Sequence, residues 1–75
     1  MEELIEILKS IHPEVDYETE KSLIDSRIFD SFDIVTLVGE ITENFEVEIG
    51  PQDLVPENFN SADSIYALIT RLMEE

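Results

Sequence analysis

The chain contains no cysteine, so neither disulfides nor thiolate metal sites can supplement its core. Its 75 residues include two glycines, too few for a glycine-rich phosphate loop. The single histidine, His12, has no second His or Cys with which to form a metal pair or a nucleophile dyad, and reads as a polar residue at a helix end, where an imidazolium is mildly favoured. Basic residues are nearly as scarce. Four Lys and Arg stand against nineteen Asp and Glu, a formal charge of −15, which makes nucleic acid and anionic membrane poor partners. The same imbalance steers basic protein surfaces toward the chain and speeds their encounter. No apolar run approaches the about 20 residues that cross a bilayer, so no membrane insertion is expected. Met1-Glu2-Glu3 has the wrong charge for a signal peptide, and a cytoplasmic location is expected.

Hydrophobic residues make up 43% of the chain, enough for one small core, and residues 1–75 are read as a single domain. Leu4, Ile5, Leu8 and Ile11 recur at helical spacing, and His12-Pro13 ends that first helix because the residue before proline is pushed out of the helical region. From Pro13 to Asp30 the pattern is aperiodic, which predicts a long loop anchored by scattered apolar residues, with Val15, Leu23 and Ile28 chosen for the core.

A second helix is predicted from Ser31 to about Phe45, with Ile34, Leu37, Val38, Ile41 and Phe45 on its buried stripe. Asp33, Thr36, Glu40 and Glu43 fall on the other side, with Val35 and Gly39 at its margin. Gly39 weakens a helix interior by roughly 1 kcal/mol relative to alanine, so it marks either a close contact or an incidental weak residue. Phe45 to Ile49 alternates like a strand, but has no partner strand and reads as an extended connector. Pro51 to Val55 suggests a short helical turn ended by Pro56, a brief third helix. Asn60 or Ser61 then caps a last helix with Ile65, Leu68, Ile69 and Leu72 as its stripe. The expected fold is an all-α four-helix bundle with a long loop between helices one and two.

With so many acids, paired carboxylates say almost nothing about acid–base catalysis. No Ser-His-Asp spacing recommends itself. A calcium loop starting at Asp30 fails, because its sixth position is Val35 rather than glycine and its twelfth is Ile41, so no metal site is expected. Crowding of the −15 charge predicts carboxylates whose folded pKa values are raised on average, with stability rising as pH falls from neutral.

One hydroxyl stands apart. Ser31, in Asp30-Ser31-Phe32-Asp33, opens the periodic segment, where unpaired backbone N–H groups and the positive end of the helix dipole would receive a phosphate ester. The alternative is that Asp30 or Ser31 simply caps the helix. A second Asp-Ser pair, Asp25-Ser26, is followed by Arg27 and opens no helical stripe.

This constellation resembles the acyl carrier protein family, the phosphopantetheine-binding or thiolation domains, over nearly the full chain. The family's Asp-Ser-Leu at the start of helix two is matched by Asp30-Ser31-Phe32, followed by Asp33-Ile34-Val35-Thr36-Leu37-Val38. Phe45 to Ile49 with Pro51 resembles the usual connector, and Ala62-Asp63-Ser64-Ile65 the last helix. The resemblance implies a bundle of acyl-carrier type in which Ser31 carries a covalent 4'-phosphopantetheine arm donated by coenzyme A. Its thiol would hold acyl groups as thioesters, supplying the thiol that the cysteine-free chain lacks. It also implies that Asp30 helps to place the cofactor during loading, and that the protein itself catalyses nothing. Expected partners are a phosphopantetheinyl transferase and separate acyl-loading and acyl-processing enzymes with basic docking surfaces, as in fatty acid biosynthesis, met by a free-standing monomer through Phe32, Asp33, Val35, Gly39, Glu40 and Glu43. Two alternatives stand beside this: a carrier in a polyketide, nonribosomal peptide or D-alanyl pathway, and an acidic helical interaction module with no prosthetic group.

Overall fold

Acids in the first turn and a lysine in the last complement the dipole of a helix over Glu2–Ile11, α1, which stops one residue before the His12-Pro13 pair. The structure, a computed structural model, describes residues 2–74. Three further helices follow among them, α2 (Ser31–Phe45), α3 (Pro56–Phe59) and α4 (Ala62–Glu74), with a 3-10 turn at Pro51–Asp53 and no strand. None of the helices is long and apolar enough to cross a membrane. α1 packs on α2, α4 packs on α1 and α2, and α3 lies against α4.

The core is built from one face of each helix. Leu4 and Leu8 of α1, Leu37 and Ile41 of α2, Phe59 of α3, and Ile65, Leu68 and Ile69 of α4 are buried together, while Ile34, Val38, Phe45 and Leu72 are half-buried at its edge. The helical stripes read from the sequence thus coincide with the core, with Ile7 buried as well, where Ile5 and Ile11 are only partly covered.

Residues 12–30 form the expected irregular segment, but its anchors are Tyr17, Leu23 and Phe29. Val15 and Ile28, expected in the core, are half-buried. The reason is polar satisfaction and ring packing. The Tyr17 hydroxyl lies 2.9 Å from both the Leu8 and His12 carbonyls at the open end of α1, so its ring can be buried with the hydroxyl donating to that pair. Phe29 packs edge-on to Tyr17 and against the His12 ring.

Asn60 fixes the other end of the segment. Its Oδ1 accepts from the Ile24 and Asp25 N–H groups at 3.0 Å each, and its carbonyl accepts from Leu23 N–H at 2.8 Å. Asn60 therefore ties the loop to the α3–α4 junction, and the cap of α4 is Ser61, whose Oγ accepts from Ser64 N–H while Ser64 Oγ accepts from Ser61 N–H. The turn before Ser31 closes through Arg27 N–H to Ile24 carbonyl and Ile28 N–H to Leu23 carbonyl, with Arg27 in the left-handed region at φ 59°.

α2 runs to Phe45 as expected and ends on Glu46 in the left-handed region, φ 55°, and residues 46–50 form the strand-free connector. The expected helical turn after Gly50 is the 3-10 turn Pro51–Asp53, but Pro56 does not end it and opens a further helix, α3. Its missing N–H is one that a first helical position leaves unpaired anyway. Asp53, buried at the end of the 3-10 turn, holds the connector to α4 through Arg71, Nη2 to Oδ1 3.0 Å.

Candidate functional site

The first turn of α2 is capped by Asp30. Asp30 sits in extended backbone, its Oδ1 accepts from Asp33 N–H at 2.9 Å, and Asp33 Oδ2 accepts in return from Asp30 N–H at 3.3 Å. This reciprocal pair is a capping box with an aspartate in the third position. Because Asp30 supplies the cap, Ser31 occupies the first helical position with its side chain exposed and its hydroxyl not needed for capping. Ser26, in the competing Asp-Ser pair, lies in the irregular turn before Arg27 and opens no helix.

Asp33 does not face solvent as a free docking acid. Its Oδ2 also meets His12 Nε2 at 2.7 Å, and the second ring nitrogen of His12 meets Glu14 Oε1 at 2.9 Å. The hydrogen bond to His12 holds the Asp33 carboxyl below the ordinary carboxylate value; burial opposes it less strongly, and the Asp30 N–H adds to the lowering. His12 is raised in turn, first by Asp33 and then by Glu14. The two carboxylates at this junction therefore shift downward, opposite to the rise expected from overall charge crowding: Glu14 first through its own backbone N–H and then through His12, Asp33 chiefly through His12. Burial pushes the Tyr17 hydroxyl up to about 12, so it stays protonated to donate to the end of α1.

On the outer face of α2, Phe32 is 82% and Val35 70% exposed, with Thr36, Gly39 and Glu43 exposed beside them. The expected split is thus rotated: Val35 and Gly39 lie on the open face, whereas Asp33 and Glu40 are half-buried at its margin. A Cβ built on Gly39 meets nothing within 4 Å, so no close contact inside the chain explains the glycine.

Beside this face lies an apolar pocket of about 110 Å³, lined by Ile24, Ile34, Leu54, Val55, Pro56 and Phe59. Ile34 is three residues beyond Ser31, hence a neighbour on the helix surface at about 5–6 Å between Cβ atoms. No sequence pattern marks this pocket, because its walls come from the loop, α2, the connector and α3, which only the tertiary fold brings together. Among the described residues no group of three or more His, Asp or Glu is arranged to hold a metal ion. No protein-family model, curated protein or solved structure matches the chain.

Proposed function

We propose that this protein is an acyl carrier, holding acyl groups as thioesters on a 4'-phosphopantetheine arm joined to Ser31 and presenting them to separate enzymes, as in fatty acid or related biosynthesis. The observation that carries the reading is the division of labour at the start of α2: Asp30 caps the helix and Ser31, next along, keeps an exposed hydroxyl at its positive end. A phosphodiester formed on that hydroxyl gains from the unpaired N–H groups of the first turn, which offsets repulsion from Asp30. The chain supplies the nucleophilic oxygen and the surface; a phosphopantetheinyl transferase supplies the catalysis, with coenzyme A as donor and Asp30 beside the incoming group.

Phe32 and Val35 give that transferase and later partners an apolar contact next to the arm, and Glu43 an acidic one for basic docking surfaces. Gly39 leaves the middle of this face without a side chain, so a partner can approach the helix backbone closely there. The pocket walls are apolar side chains throughout, which favours an alkyl acyl cargo over the charged amine of a D-alanyl or aminoacyl group.

The same exposed Phe32–Val35 patch is what an interaction module without a prosthetic group would use. Intact mass after incubation with coenzyme A and a broad-specificity phosphopantetheinyl transferase separates the two. The carrier gains one phosphopantetheinyl group and its Ser31→Ala variant gains none.

A further inference from the structure

His12 sits where three segments meet: it follows α1, Glu14 lies two residues on in the connecting segment, and Asp33 belongs to the first turn of α2. Both ring nitrogens face carboxylate oxygens, at 2.7 Å and 2.9 Å. Ionised carboxylates only accept hydrogen bonds, and a neutral imidazole has one donor and one lone pair. Only the imidazolium, with two N–H donors, satisfies both contacts. In the neutral ring one nitrogen would present its lone pair to a carboxylate, and that contact must break.

The contact that breaks is decided by what holds each acid. Asp33 Oδ2 is kept in place by Asp30 N–H on another segment and is half-buried, whereas the Glu14 side chain, held otherwise only by its own backbone N–H, is 66% exposed to water. We propose that His12 is a proton-operated clasp: charged, it binds the start of the connecting segment to the capping turn of α2 that presents Ser31, and neutral, it releases Glu14 and keeps only a weakened hold on Asp33. This rests on the fold and not on what Ser31 carries.

The titratable groups around the ring are Asp33 from α2 and Glu14 and Tyr17 from the connecting segment. Tyr17 acts on the backbone carbonyl of His12 and stays protonated, and Phe29 covers one side of the ring without charge. Hydrogen bonds from Asp33 first and Glu14 second raise the pKa of His12 above its ordinary value of 6.5, so the clasp is closed at mildly acidic pH and opens on the alkaline side. Asp30 transmits the change to the site, since its N–H shares the Asp33 oxygen that His12 holds.

The test is an NMR titration of the full chain from about pH 5 to about pH 9, following the His12 ring and the backbone amides, in the wild type and in Glu14→Gln, Asp33→Asn and His12→Gln. The His12 midpoint should lie above 6.5 in the wild type, fall most in Asp33→Asn and less in Glu14→Gln. The amides of Glu14, Val15 and Asp30 should move with the His12 midpoint, and that movement should vanish in His12→Gln. A wild-type midpoint at or below 6.5, or amides that ignore it, overturns the clasp without need of any variant.

Discussion

Asn60 Oδ1 accepts from Ile24 and Asp25 N–H while its Nδ2 donates to Asp25 Oδ2 at 3.1 Å, so one amide satisfies two backbone donors of the loop and steadies a third group. At roughly 1 kcal/mol net for each hydrogen bond lost, and more where a donor is left unpaired, Asn60→Ala should cost about 2 kcal/mol in urea unfolding. Gly39 predicts the opposite sign. It is helical and exposed, with open space where a Cβ would stand, so Gly39→Ala should stabilise by roughly 1 kcal/mol through helix propensity and a less flexible unfolded chain. If the glycine serves close approach by a partner, the same variant loses affinity while gaining stability, and the two readouts separate. His12 adds a pH dependence. Its raised pKa contributes stability that is fully present below 6.5 and lost as pH rises through the folded value. The lowered pKa of Asp33 contributes stability present above 3.8 and lost as pH falls through its folded value. Thermal melts should therefore weaken from mildly acidic to alkaline pH in the wild type, and His12→Gln should flatten that slope.

The four helices differ in how openly the sequence announces them. The stripes of α2 and α4 repeat over several turns, so both ends of α2 and the start of α4 are legible to within a residue. Leu37, Ile41, Ile65, Leu68 and Ile69 are buried as expected, whereas Ile34, Val38, Phe45 and Leu72 are half-buried and Ala62 is buried outside the stripe. α3 was harder to read because four residues carry no periodicity, and Pro56 has two meanings: it bars a helix from continuing through it, and it suits the first position of a new one. In the loop, the sequence does not single out Tyr17 and Phe29 over Val15 and Ile28, because what buries Tyr17 is its hydroxyl's reach to the carbonyls at the end of α1, a contact nine residues apart for Leu8. At the candidate site the helix start at Ser31 is legible, since helix starts have a local signature, whereas the contacts of Asp33 are not. Its placement on the helix wheel suggests an outward acid, and only the packing of α1 on α2 brings His12 to 2.7 Å from it. The apolar pocket is likewise a product of tertiary neighbours, whereas the Glu14 contact with His12 spans only two residues and no periodicity signals it.

Across the whole molecule, nineteen acids stand against four bases, a formal charge of −15, so an exposed acid by itself does not single out a docking surface. The two most exposed large hydrophobic residues described, Phe32 and Val35, sit together at the Ser31 end of α2, with Glu43 further along the same face. Since Glu43 is exposed and Glu40 half-buried, Glu43→Lys should slow association with a basic partner enzyme more than Glu40→Lys does. Added salt should shrink both effects, because exposed charges are screened over about 8 Å at physiological ionic strength. Stopped-flow association with a phosphopantetheinyl transferase at low and high salt reads this directly; equal on-rates for both variants and the wild type at low salt would remove the face from docking. What such docking serves is decided at Ser31. Intact mass spectrometry of the wild type, Ser26→Ala and Ser31→Ala after incubation with coenzyme A and the transferase is the most direct measurement. The wild type and Ser26→Ala should each gain a single phosphopantetheinyl group and Ser31→Ala, still folded by circular dichroism, should gain none, while an unmodified wild type or a loaded Ser31→Ala would contradict the account.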